Sequence, residues 1–313
     1  MRADLARSGP VLIEDAGSSN CAQFQVAGVS VQVEADRPCD VTLVSSLEPF
    51  RTQVDSSDIN IQVDRVGNLR SSVDREVFDS GSVWRAYQEE NGYRFDFSTP
   101  MMGDGPYKRL LVDSEFRRAT LLMSIEALGR NTPAVAPLDY PLDELLIMHR
   151  LTQEKAIELH GCGIVRPDGT GNLFVGHSGA GKSTTTRLWL AREDVEILSD
   201  DRIIVRRGTS EDSGRMRMYG TPWHGEAMFA SPGNAPLARI FILQHGYGNV
   251  LTQLSPSQAV AELFARSFVP FHRHEYVDAA LEFLQEVVNA VPCYRYAFEP
   301  NQAAVERIRE FRD

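Results

Sequence analysis

Through the first 135 residues the apolar positions fall mainly at every second residue, the period of half-buried strands. In 24-FQVAGVSVQVEAD-36 the alternation runs on both sides of Ala27-Gly28, which predicts a tight hairpin. Shorter alternating runs at 41-VTLV-44, 59-INIQV-63 and 93-YRFDF-97 read as further strands. The run 108-KRLLVDSEFRRATLLMS-124 is apolar at both ends and fits strand and helix equally. The stretch 129-GRNTPAVAP-137 breaks any periodic element and marks a boundary. Beyond it the period changes. Leu142, Leu145, Leu146 and His149 form a helical stripe within 141–159, with Pro141 at a tolerated first position. Strands are expected at 162–167, around 173, at 195–198 and at 202–207, with a helix from Ser183 to about Ala191 and a turn at Asp168-Gly169. Residues 208–215 read as an exposed loop. Ser255 and Pro256 open a helix with Val260, Leu263, Phe264 and Ser267 on one face. A second helix carries Val277, Leu281, Leu284, Val288 and Val291 and is stopped by Pro292; a strand over 293–299 follows. The pattern gives an α/β (α+β) chain: a β-rich amino-terminal domain over 1–135 and a second domain over 138–313.

Composition narrows the partners. The 313 residues are 42% hydrophobic and 24% charged, ordinary for a globular protein. A net charge of −11 argues against nucleic acid. The opening MRADLARSGP lacks the apolar core of a secretory signal, and no apolar run reaches the roughly 20 residues of a membrane span. Cys21, Cys39, Cys162 and Cys293 show no ligand spacing, which suits unpaired thiols in a reducing cytoplasm.

One stretch carries chemistry. In 173-LFVGHSGAGKSTTTRLWL-190, Gly176-His177-Ser178-Gly179-Ala180-Gly181-Lys182-Ser183 fits GxxxxGK[ST], preceded by a strand pattern and followed by a helix pattern. Glycines let backbone N–H groups turn around phosphate oxygens where a Cβ would clash. The helix aims its positive end at the same anion. Lys182 reaches the β- and γ-phosphates, Ser183 can hold Mg²⁺, and Thr184 completes the set. The expected ligand is ATP or a similar nucleoside triphosphate with Mg²⁺. Lysine is otherwise scarce, the others being Lys108 and Lys155.

Eighteen residues after Lys182, 197-ILSDDRIIV-205 places Asp200 and Asp201 where a strand ends, the usual place for ligand sites in open α/β sheets. Neighbouring strand residues face opposite ways, so both serve one site only if the strand breaks there. One acid could hold Mg²⁺ while the other accepts a proton from a hydroxyl; an acidic turn between strands is the plain alternative. Upstream, 158-ELHGCGIV-165 sets His160 just before a glycine.

Together, LHG, two strands, GHSGAGKS, a helix and the DD pair resemble HPr kinase/phosphorylase and, more distantly, ATP-dependent phosphoenolpyruvate carboxykinase. The likeness covers roughly residues 155–207. It implies an HPr kinase C-terminal/PEP carboxykinase-like fold for the second domain, and a homo-oligomer, since such kinases are commonly hexameric. It implies that His160 and Asp200 together deprotonate an acceptor serine, and that Asp201 binds the metal. An EIRGLGII-like signature follows the DD pair in the bifunctional enzymes; here the region reads 219-YGTPWHGEAMF-229. Glu226, 25 residues beyond Asp201, falls close to that signature's glutamate and could join the metal site. Trp223 and His224 flank it, as contacts to ligand or as a packed turn. The amino-terminal half matches no regulatory half of those enzymes, which points away from HPr as acceptor and towards divergent relatives that phosphorylate peptides or other hydroxyl acceptors.

The expectation is therefore a cytoplasmic kinase that transfers the γ-phosphate to a serine-like hydroxyl of a protein, peptide or small molecule. The alternative is a non-catalytic nucleotide-binding switch, and behind it a carboxykinase-like lyase, for which no second His/Lys/Asp cluster is visible. No LSGGQ-like segment supports a transport ATPase.

Overall fold

The computed structural model describes residues 20–36, 41–70, 75–129, 136–192, 194–208 and 214–312. Cys39, the centre of the break at 129–137 and the middle of the 208–215 loop lie outside them. The described residues form a mixed α+β chain with six α-helices and two large sheets.

The first sheet is built from β1 (Cys21–Val26), β2 (Val29–Ala35), β3 (Ile59–Val66), β4 (Glu76–Asp79), β5 (Trp84–Glu89), β6 (Gly92–Phe97), β7 (Lys108–Asp113) and β8 (Arg118–Ser124). Its order is β1-β2-β3-β8-β7-β6-β5-β4; β3 runs parallel to β2 and β8, and the other pairs are antiparallel. The hairpin turns at Ala27 and Gly28, both at positive φ. Residues 108–124 resolve into two strands of one hairpin, and the expected strand at 41–44 is irregular. A short helix α1 (Ile125–Leu128) follows β8, with the Ser124 side chain accepting from Ala127 N–H.

Helix α2 (Leu142–Thr152) is shorter than its stripe suggested, because Ala156 already opens a strand. Its Leu142, Leu145, Leu146, Ile147 and Leu151 pack into the core of the first sheet, as do Ile204 and Trp223 from later in the chain. A cut at 138 would therefore run through one packed core, because the first helix of the second half seals the sheet of the first.

The second sheet holds β9 (Ala156–Val165), β10 (Gly171–Val175), β11 (Glu196–Ser199), β12 (Arg202–Arg207), β13 (Met216–Tyr219), β14 (Asn234–His245), β15 (Val250–Gln253), β16 (Ser267–Phe268) and β17 (Cys293–Phe298). The long strands β9 and β14 organise it. The first half of β9 pairs with β12 and β16, and its second half with β10 and β11. The start of β14 pairs with β13, and its remainder runs parallel between β10 and β17. Helices cover both faces. On one side α4 (Pro256–Phe264) and α5 (His274–Ala290) cover Leu173, Ile240 and Ile242. On the other, α3 (Lys182–Leu190) and α6 (Gln302–Glu310) cover Phe174, Phe241, Tyr294 and Tyr296 through Trp189, Val305 and Ile308. Ser255 and Gln258 form a reciprocal capping box on α4. No described helix is long and apolar enough to cross a membrane.

Candidate active site

The glycine loop lies between β10, every residue of which is buried, and α3. Parallel β14 and antiparallel β9 hold β10 from its two sides. Two glycines are needed by geometry. A Cβ at Gly176 would lie 2.6 Å from that of Ala180, and one at Gly181, whose φ is +102°, would lie 2.5 Å from the Phe298 ring. Gly179, also left-handed, has open space where its Cβ would be. Lys182 folds back over the loop and is only 6% exposed. Its Nζ donates to the carbonyls of Gly176 (3.0 Å) and His177 (3.2 Å). No carboxylate among the described residues lies within ion-pair distance of it. Burial pushes the ammonium pKa down, against the partial support of Asp201. His177, Ser178 and Gly179 face solvent; the Arg266 charge, more than burial, lowers the His177 pKa.

Backbone hydrogen bonds stitch His160 to this loop. Its carbonyl accepts from Gly176 N–H (3.1 Å), its own N–H donates to Arg266 O (2.8 Å), and the next N–H, of Gly161, donates to Asp201 O (3.0 Å). Across the ladder, His160 faces Arg202. The chain breaks between β11 and β12, which lets both aspartates approach one region, but they do different things.

Asp200 is 1% exposed and faces inward. Its carboxylate accepts backbone N–H groups from Gly225 (2.9 Å), Ala227 (2.7 Å) and Phe229 (3.3 Å). A side chain at Gly225 would crowd it, with a Cβ only 3.0 Å from Asp200 Oδ2. Asp201 is the partner of the histidine: His160 Nε2 lies 2.9 Å from Asp201 Oδ1. Its second oxygen meets Arg202 Nη1. Burial pushes the Asp201 pKa up, but the His160 hydrogen bond and the Arg202, His160 and Lys182 charges outweigh it, so the net shift is downward and the group is ionised at neutral pH. The expected pairing of His160 with Asp200 is not the one the structure makes. Asp200 spends its oxygens on three amides, and Asp201 faces the imidazole.

Arg202 ties this pair to a set of acids that the motifs do not mark. Its Nε donates to Glu144 of α2 (2.9 Å) and lies 3.3 Å from Glu158, and its guanidinium lies 4.0 Å from the Phe268 ring centroid. Glu158 is fully buried, and neither oxygen meets hydrogen-bond geometry despite that ion pair. Burial and then the neighbouring Glu144 push its pKa well up, which favours the neutral acid. Arg202 thus stands among three acids, Glu144, Glu158 and Asp201. The signal for Glu158 was its place two residues before His160, on the same face of β9.

Of the residues between β13 and β14, Trp223 is a packing residue: it is buried, and Nε1 donates to Asp143 Oδ2 (2.9 Å). His224 and Glu226 are exposed on the loop that Asp200 pins. No cluster of three or more His, Cys, Asp or Glu side chains suited to a metal occurs among the described residues. Mg²⁺ commonly takes only one or two carboxylates beside phosphate oxygens and water. Ser183 is half-buried at the start of α3 and Glu226 is exposed on the 225–229 loop, so oxygen donors of the kind Mg²⁺ takes are present on both segments, while both Asp201 oxygens already face His160 and Arg202. Cys162 and Cys293 are buried free thiols. Two open clefts on the first sheet, both bordered by Asp113 and Arg118, share no residue with this site. No protein-family model and no curated protein matches the chain.

Proposed function

We propose that the chain is a phosphotransferase with an HPr-kinase-like second half, moving the γ-phosphate of Mg·ATP to a serine-like hydroxyl of a protein, peptide or small molecule. The observation that carries this reading is Lys182, a buried ammonium whose partners are two carbonyls of its own loop, set beside the His160–Asp201 pair. Phosphate oxygens can replace those carbonyls and supply the missing negative charge. The loop amides from His177 to Ser183 and the start of α3 would hold the phosphates, and Ser183 and Glu226 would hold Mg²⁺. The ion, when bound, neutralises phosphate charge.

Asp201 is the acceptor for the hydroxyl proton in this reading, with His160 Nε2 orienting its carboxylate. The acceptor oxygen forms a bond to the γ-phosphorus, the bond to the β–γ bridging oxygen breaks, ADP leaves, and the proton rests on Asp201. Positioning and charge neutralisation carry most of such a transfer, so one modest base suffices. Asp200 acts by holding the 225–229 loop. The test is label transfer from γ-labelled ATP to serine-bearing proteins, peptides and small hydroxyl compounds. Transfer that requires Mg²⁺ and Lys182 supports the reading. Nucleotide binding with no transfer to any of them would favour a non-catalytic switch.

A further inference from the structure

The two flanks of β10 are unlike. On one flank is β9 with His160, and on the other are parallel β14 and then β17. Strands β14 and β17 end in register, at His245 and Phe298, three residues beyond the level of Val175 where β10 gives way to the glycine loop, and open parallel sheets take ligands at such carboxyl ends. A triphosphate whose γ end lies beside His160 and Asp201 has to run its nucleoside towards β14 and β17.

The structure is specific at that end. His245 Nε2 lies 2.7 Å from Gly179 O, joining the end of β14 to the glycine loop. The His245 ring stacks with Phe298, centroids 6.3 Å apart at 21°, and Phe298 is the ring that forbids a side chain at Gly181. Two residues after His245, Tyr247 is 89% exposed. Its turn is held from several sides: Gly248 N–H donates to Glu299 Oε1 (2.8 Å), Glu299 N–H to Asn249 Oδ1 (2.9 Å), and Gly246 N–H to Phe298 O (3.3 Å). Gly248 and Asn249 both take left-handed φ, +77° and +50°. Two strand ends and two left-handed residues fix a turn whose tyrosine is bare.

We propose that Tyr247, together with His245, is the platform on which the base of the bound nucleotide stacks, a proposal that rests on the nucleotide reading above. The ligand class is a nucleoside triphosphate recognised through the π-face of its base. Both oxygens of Glu299, the carboxylate that braces this turn, are engaged, by Gly248 N–H and by Asn301 Nδ2 (3.3 Å). With each Glu299 oxygen already holding a partner, the platform offers the base chiefly a π-face, and Mg·ATP and Mg·GTP are expected to bind alike.

The test is calorimetric titration of the full chain with Mg·ATP, Mg·GTP and inorganic tripolyphosphate, using the parent, Tyr247→Ala, Tyr247→Phe and Lys182→Met. Tyr247→Ala should weaken both nucleotides about ten-fold or more, the usual loss when a stacked aromatic is removed. It should leave tripolyphosphate affinity unchanged, and Tyr247→Phe should restore parental nucleotide affinity. Nucleotide affinity within two-fold of the parent in Tyr247→Ala, or an equal loss for tripolyphosphate, overturns the stacking site while the nucleotide reading stands. A parent that binds none of the three ligands, or a Lys182→Met that binds them as the parent does, overturns both.

Discussion

Lys108 and Lys182 are buried in different halves of the molecule, and their surroundings differ in one respect that matters. Lys108, at the start of β7, is 1% exposed and donates to Ala136 O (2.9 Å), Pro137 O (3.0 Å) and the Asp139 carboxylate (2.7 Å). It fastens the chain leading into α2 to the first sheet. Lys182 meets carbonyls alone. The same contrast holds more widely. On the first sheet, Arg109 grips both oxygens of Asp96 (2.6 and 2.8 Å), and Arg94 joins Asp96 and Glu89 while lying over the Tyr87 ring. Those charges are matched one against another. Around the glycine loop the ammonium lacks a counter-ion, and the nearby Arg202 is shared among several acids. A buried charge left without its counter-ion is costly in a resting protein, and a ligand of opposite charge repays that cost when it binds.

The largest effect follows directly. Lys182→Met should abolish nucleotide-dependent thermal stabilisation, which in the parent amounts to about 2.7 kcal/mol at a ligand concentration of 100 Kd. Its ligand-free stability should stay within about 1 kcal/mol of the parent, because no carboxylate is orphaned. Lys108→Met should do the reverse. It strands Asp139 and two carbonyls, costs about 1–3 kcal/mol without ligand, and leaves the nucleotide increment intact. Melting curves with and without Mg·ATP measure all four quantities. Similar behaviour of the two variants would break the contrast between closed and open charge.

The two aspartates sharpen it at closer range. Asp201→Asn should lower phosphate transfer by about 10²–10⁴-fold, the usual worth of a general base, with little change in melting. Asp200→Asn replaces one accepting oxygen by an amide that cannot accept, so an N–H of the 225–229 loop loses its partner. It should cost about 1–3 kcal/mol of stability and slow transfer less than Asp201→Asn does. Transfer lost in Asp200→Asn at unchanged stability would return the base role to Asp200, as the kinase resemblance implies.

What the sequence announced and what it hid divide along physical lines. The glycine loop, the hairpin at Ala27-Gly28, the cap at Ser255 and the strand at 202–207 were legible because local backbone requirements write themselves in neighbouring residues. Strand β14 was not anticipated, although it is the longest of the second sheet: 234-NAPLARIFILQH-245 is buried on both faces at its centre and shows no alternation to read. The sequence offers DD without saying which oxygen meets which donor. That depends on the amides of Gly225, Ala227 and Phe229, 25 to 29 residues away, and on the register that sets Arg202 opposite His160. The helical stripe within 141–159 was visible, but neither its end at Thr152 nor the core it fills was, since Leu145 and Ile147 pack on a sheet completed before the helix begins.

The seam that α2 makes between the halves gives the smallest effect. His149 of α2 is buried, with Nδ1 2.6 Å from Leu145 O and Nε2 without a hydrogen-bond partner. Its ring stacks on Phe116 (4.3 Å) and packs against Phe95 of the first sheet, while His272 (5.2 Å) and Tyr276 approach from the second half. Burial, and then the charge of His272, push its pKa down to about 3; burial and Arg273 push His272 down to about 4. Both folded values lie below the ordinary 6.5, so the stability these groups permit is present above pH 6.5 and is lost as pH falls towards 3. His149→Phe keeps the ring stack and removes one titrating group. The variant should lose less stability than the parent between pH 7 and pH 5, by on the order of 1 kcal/mol. Denaturant melts at the two pH values measure it. An unchanged acid limb would mean that the seam opens before its histidines titrate, and that the two halves are less firmly joined than their shared core implies.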